Sequence, residues 1–223
     1  MKLRTTISLY ACQGTMFRGV PIQGFDSADE EEIRAMMSRI PPELLKDVKL
    51  IRSAPELQPK HGRYVPETKT VYVNPHTFKL RTRFGKGPGW IGHDELVVLH
   101  EIGHSVYDNL PEEKRQEWQN ISGWMVGTKP GQAPAYVEKR PGWPPFTAKK
   151  THKLNVEFPR IYSEKSDDED FADCFAFFVM GKPFQLGKPK RAFMQGLFNE
   201  RVRNYPQTAT FGPDTPYGKK HGS

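Results

Sequence analysis

The chain has 223 residues, 36% of them apolar, and 33 Lys and Arg against 26 Asp and Glu give it a net charge of +7 and a pI near 9.3. That length holds one domain with an ample core or two lobes around a cleft, and no apolar run approaches a membrane span. Two cysteines, Cys12 and Cys174, do not suggest a disulfide framework; the charge invites a nucleic-acid reading, but the basic residues form no recognisable binding module, and a general preference for acidic substrates or partners is the safer inference.

The N-terminal stretch up to Cys12 has the outline of a lipoprotein signal. Its apolar part is short and broken by Thr5, Thr6 and Ser8, so a β-strand at Thr5–Ala11 is the better expectation. Ser27-Ala-Asp-Glu30 reads as a capping box opening a helix with Ile33, Met36, Met37 and Ile40 on one face. Pro41-Pro42 ends that helix, a short helical turn follows, and Val48–Arg52 reads as a strand. Arg63–Asn74 has the pattern of a β-hairpin turning at Pro66–Lys69. Its second strand, with Val71, Tyr72 and Val73, reads either as a sheet edge to which an extended peptide could add or as part of an ordinary packing hairpin.

The densest chemical signal follows. Leu96–Val106 contains His100, Glu101 and His104 as an H-E-x-x-H motif inside an apolar run. Residues four apart share a helix face, so His100 and His104 can offer two imidazoles to one metal, and Glu101 can reach a water on it. Val97, Val98, Leu99, Ile102 and Val106 make the segment apolar nearly all round, as a central buried helix must be. Gly103 permits close approach of a neighbouring backbone. Tyr107 and Leu110 occupy the places where a metzincin has Gly and His, so the third ligand must come from farther along.

Pro111–Gln119 begins another, polar helix. Residues 123–161 carry seven Lys or Arg and two acids among many Pro and Gly, with Trp124, Tyr136, Trp143 and Phe146; so long an irregular stretch suggests a loop that shapes the cleft. An acidic cluster then runs into a helical pattern whose core side is Phe171, Cys174, Phe175 and Phe178. Asp167, Asp168 and Asp170 read as ordinary first-turn acids facing the helix dipole. Glu169 and Asp173 lie one turn apart in a stretch too apolar for an idle carboxylate. The first suits a metal ligand, and the second suits the acceptor for the free N–H of a ligating imidazole. Pro189–Val202 reads as a last amphipathic helix burying Phe193, Met194, Leu197 and Phe198, and residues 206–223 as a disordered tail.

His-Glu-Ile-Gly-His at 100–104, Tyr162 seven residues before Glu169, and Phe171-Ala172 followed by Asp173 resemble the anthrax lethal factor-like and Pro-Pro endopeptidase families of gluzincin metallopeptidases. The resemblance covers roughly residues 60–200. It implies His100, His104 and Glu169 as zinc ligands, Glu101 as general base, and Tyr162 as the hydroxyl that stabilises the transition state. The family's second acidic residue is usually Glu, and here it is Asp173.

The expectation is therefore an α+β, zincin-like domain over residues 1–205, with a small twisted sheet and the active-site helix in a lobe of about 1–110. A mainly helical lobe of about 111–205 would supply the third ligand. The expected activity is zinc-dependent endopeptidase hydrolysis with one Zn²⁺ per chain, acting on a protein or peptide substrate and needing no membrane. The competing expectations are a catalytically silent zincin-like component of a larger assembly and, behind it, a basic nucleic-acid-binding protein. No convincing signal peptide marks a compartment, which fits a cytoplasmic protein or one carried in a viral or secreted assembly.

Overall fold

The computed structural model describes residues 14–80, 83–84, 91–125, 135–136 and 158–203. The strand expected at Thr5–Ala11, most of the 123–161 stretch and the tail after Tyr205 lie outside the described residues. The order is β1 (Thr15–Phe17), β2 (Val20–Gln23), α1 (Ser27–Ser38), α2 (Pro42–Leu45), β3 (Leu50–Ser53), β4 (Gly62–Val65), β5 (Thr70–Val73) and α3 (His76–Leu80). Two short strands, β6 (Arg83–Phe84) and β7 (Ile91–Gly92), lead into α4 (His93–Asp108) and α5 (Glu112–Ser122). β8 (Trp124–Met125) pairs with β9 (Ala135–Tyr136), a 3₁₀ turn covers Ile161–Lys165, and α6 (Asp167–Val179) and α7 (Lys188–Arg203) complete the chain.

The architecture is α+β. Five strands form one mixed sheet in the order β1-β2-β3-β5-β4, with β2, β3 and β5 parallel and the outer strands β1 and β4 antiparallel to their neighbours. Helix α1 starts one residue before the expected box. Asp26 is the cap, its carboxylate accepting from the Asp29 N–H at 2.9 Å, while Ser27 is already helical. Ile33, Met36, Met37 and Ile40 are all buried, as the helical spacing requires.

The hairpin forms with its turn closed by Lys69 N–H to the Pro66 carbonyl, but its second strand is not a sheet edge. Val71, Tyr72 and Val73 are interior, pairing with β3 on one side and β4 on the other. Among the described residues the outer strand on this side of the sheet is β4. Composition explains the placement: Thr70, Val71 and Val73 are buried on both faces, the near-continuous apolar run of a central strand, whereas β4 reads Gly-Arg-Tyr-Val.

One hydrophobic cluster joins both expected lobes, including Ile22 and Ile51 of the sheet, Leu99 and Ile102 of α4, Phe175 of α6 and Met194 of α7. Within it α4 and α6 pack more extensively than any other two elements. Gly103 makes this packing possible. A Cβ there would lie 2.8 Å from Ala172 Cα and 3.0 Å from the Ala172 carbonyl oxygen, inside van der Waals contact.

Asp167, Asp168 and Asp170 do stand in the first turn of α6, and Asp167 and Asp170 have partners beyond the helix dipole. Asp167 accepts from the Tyr107 hydroxyl and, at 2.6 Å, from Gln119, while its carbonyl takes the Trp118 indole N–H. Asp170 is fully buried with Lys190 Nζ 2.7 Å from each carboxylate oxygen and Trp124 Nε1 at 3.1 Å. These bonds fasten α5 and α7 onto α6. Burial of a charge without such partners costs several kcal/mol or so, which is why every one of these carboxylates found donors.

Gly103→Ala tests the helix crossing. Alanine favours a helix by about 1 kcal/mol over glycine, yet the overlap with Ala172 must push α4 from α6. We expect a net loss of about 1–3 kcal/mol in urea unfolding; a gain in stability would show that the two backbones do not meet there.

Candidate metal centre

Three side chains converge where α4 crosses α6. His100 Nε2 and His104 Nε2 lie 3.0 Å apart, and Glu169 Oε2 lies 3.0 Å from the first and 3.4 Å from the second. One donor atom from each falls within 4.8 Å of the others, so this group could hold a metal ion. Among the described residues no other such group occurs.

The chemistry of the donor set fits a cation. Glu169 Oε2 is buried against the two imidazole nitrogens, 3.0 Å from His100 Nε2 and 3.4 Å from His104 Nε2, an oxygen that a cation would partner. His100 donates from Nδ1 to Asp173 Oδ1 at 2.7 Å, which fixes the tautomer that leaves Nε2 as a lone-pair donor. Asp173 is held in turn by Arg160 through Nε at 3.0 Å and through Nη2, and by the Ser163 hydroxyl at 2.6 Å. Asp168 stands 3.6 Å from His104 Nδ1 on the outer side.

The titration of these groups follows from crowding. Burial alone would lower the His100 pKa, but the hydrogen bonds to Asp173 and Glu169 outweigh it and push it up to about 9. Glu169 is driven the other way: burial raises it, and the two imidazoles hold it well below the carboxylate range. Asp173 is likewise held low, its burial opposed by His100 and Arg160. Carboxylates around imidazole are what a divalent cation would find favourable.

Glu101 lies alongside, 9% exposed. Burial raises its pKa, while the nearby imidazoles and a backbone hydrogen bond from Tyr64 pull it down. The edge strand β4 passes directly over this carboxylate. A Cβ on Gly62 would fall 2.7 Å from Glu101 Cγ and Oε1 and 2.8 Å from Val97 Cγ1, so only glycine admits the side chain in this position.

Tyr162, in the 3₁₀ turn before α6, is 41% exposed, and its ring stands 5.7 Å from that of His100. Burial first, then the Glu169 charge and hydrogen bond, push its pKa up to about 12, so the hydroxyl keeps its proton. Lys165 Nζ sits 3.3 Å from the centre of its ring.

The chain matches no family model, no curated protein and no solved structure. The site therefore stands on its own geometry.

The structure thus brings His100, His104 and Glu169 to one point, with Glu101, Tyr162 and Asp173 around them. It sets Val71, Tyr72 and Val73 one strand away from the free edge. Sequence reasoning missed Arg160 and Gly62. Arg160 was one of seven basic residues in an irregular stretch, and no periodicity links it to Asp173. Gly62 could have been suspected, as a glycine opening a strand just before the metal-motif helix.

Metal titration checks the centre. About one divalent ion should bind per chain. His100→Ala, His104→Ala and Glu169→Ala should weaken binding by more than the roughly 10–100-fold expected of Asp173→Asn, which only frees an imidazole. A proton on His100 competes with the ion below a pKa of about 9, so apparent affinity should rise about tenfold per pH unit up to that point. Calorimetry in buffers of different ionisation enthalpy should count one proton released per ion at pH 7; unchanged binding by Glu169→Ala would remove that residue from the ligand set.

Proposed function

We propose that the protein is a zinc-dependent endopeptidase of the gluzincin type, its sheet and helices forming a zincin-like domain. The observation that carries this reading is the meeting of two imidazoles and one carboxylate with a buried glutamate, a protonated phenol and an unpaired strand edge. Two imidazoles and a carboxylate are a catalytic zinc set, which leaves a coordination position open. A purely structural site needs neither the glutamate nor the phenol.

Zinc held by His100, His104 and Glu169 would acidify a bound water and polarise the scissile carbonyl. The residues of the chain do the rest. Glu101 takes the water's proton on its carboxylate and returns it to the leaving amine; burial, by raising its pKa, suits it to hold that proton in between. Tyr162 donates its hydroxyl hydrogen to the developing oxyanion. Arg160 and Ser163, through Asp173, fix the His100 ring. The outer edge of β4, which no strand pairs among the described residues and where the Tyr64 N–H meets Glu101, would offer its remaining backbone groups to an extended peptide, giving affinity without a deep pocket. Gly62 keeps that strand close above Glu101.

Glu101→Gln should retain fold and metal and lose peptide hydrolysis. Wild-type protein that holds the metal yet cleaves nothing in a broad peptide library would favour a structural role instead. Tyr162→Phe should lower kcat by about 100-fold with KM, metal content and melting temperature nearly unchanged, because the hydroxyl acts chiefly in the transition state. A merely packed tyrosine would leave turnover normal and change stability alone.

Gly62→Ala separates positioning from folding. Its Cβ would displace the Glu101 carboxylate, so kcat should fall by about tenfold or more while metal affinity holds. Normal turnover in a folded Gly62→Ala protein would show that Glu101 works from another rotamer.

A further inference from the structure

Tyr162 is 41% exposed, whereas His100 and Glu101 are buried. Its hydroxyl is turned to Glu169, and its ring meets that of His100 edge to face at 5.7 Å. An aromatic so exposed needs a further contact to keep its hydroxyl at the centre, and the ring has one close neighbour to supply it. Lys165 Nζ lies 3.3 Å from the ring centre, well inside the 5.4 Å of the Arg160 guanidinium carbon. The proposed chemistry gives Lys165 no part.

The local fold dictates this contact. Tyr162 and Lys165 stand three residues apart in a 3₁₀ turn, where side chains at that spacing eclipse one another. Between them Ser163 is fully buried and donates to Asp173 at 2.6 Å, which pins the turn to α6. Lys165 is exposed and pairs with no carboxylate among the described residues, although Glu164 and Asp167 are close to it in the chain. Its ammonium takes the negative face of the ring instead. Arg160 is not free to follow the ring in the same way, because Asp173 holds its Nε and Nη2.

We propose that Lys165 is a positioning residue for Tyr162: its ammonium, lying on the ring, keeps the phenol hydroxyl at the metal centre. The effect on turnover rests on the peptidase reading, whereas the placement of the ring can be measured without it. In the zinc-loaded protein NMR follows two signals. One is the ε-methylene of Lys165, assigned with Tyr162→Leu, which the ring current should move upfield of the other lysines. The other is the Overhauser contact between the Tyr162 and His100 rings. Lys165→Met keeps the stem and removes the charge, and Lys165→Arg keeps a cation. Weakening of the Overhauser contact in Lys165→Met and its return in Lys165→Arg support the proposal. An unshifted Lys165, or a contact that Lys165→Met leaves unchanged or that both substitutions weaken equally, overturns it.

Turnover supplies the second arm. Lys165→Met should lower kcat by about two- to fivefold, the range of an exposed cation–π contact, with KM, zinc affinity and melting temperature unchanged. Lys165→Arg should recover most of that loss. Because Lys165 acts through the hydroxyl, Lys165→Met should have no further effect in the Tyr162→Phe background. A loss that persists in that background, or that appears in KM and varies with peptide charge, overturns positioning in favour of direct contact with the substrate. Ring signals that respond as expected in a protein that cleaves no peptide would uphold the placement of Tyr162 and overturn the peptidase reading.

Discussion

The contact of Gly103 with Ala172 is the constraint on which the site depends. Helices that meet through side chains usually lie about 8–10 Å apart, and the absence of a Cβ at Gly103 brings the backbones closer. His104 follows that glycine and His100 lies three residues before it, while Asp173 follows Ala172 and Glu169 lies three residues before it. One crossing thus delivers two imidazoles from one helix and two carboxylates from the other. No loop is needed to close the centre, so its geometry is as rigid as the core around it.

A helix that brings carboxylates into a core must also pay for those it does not present to the metal. In α6 the solution is periodic. Asp167, Asp170 and Asp173 follow one another at three-residue intervals, and each meets its own donors: Tyr107 and Gln119, Lys190 and Trp124, then His100, Arg160 and Ser163. Glu169 lies off that row and is left facing the imidazoles. The acidic run is therefore two functions interleaved. One face fastens α5, α7 and the 160–163 segment to α6, and the other brings Glu169 to the group that could hold a metal ion.

Those two functions also mark the limit of what the sequence made legible. The H-E-x-x-H spacing, the partnership of Glu169 with Asp173 and the burial of α4 all follow from the 3.6-residue period, which acts within a few turns. The hairpin was legible for the same reason, since its register is set by a four-residue turn. Its place in the sheet was not, because β5 becomes central only through pairing with the distant β3. Likewise nothing near Asp170 announces Lys190, twenty residues on, and nothing near Asp173 announces Arg160. Local rules read local geometry; partners chosen by the tertiary fold stay hidden until the chain closes on itself.

The charge of the whole chain and the charge of its site run in opposite senses, and this shapes what the groove can recognise. With 33 basic residues against 26 acidic, the protein presents a positive field, yet its centre gathers Glu101, Glu169, Asp168 and Asp173. A divalent cation offsets that local surplus, and without one His100 supplies part of the compensation by taking a proton. Beside the centre the sign changes again, with Arg160 and Lys165 over the Tyr162 ring. On the proposed function, a peptide approaching the centre would meet those cations before the acidic groups around the imidazoles. The positive field of the chain would draw substrate in, while the local carboxylates would hold the divalent cation.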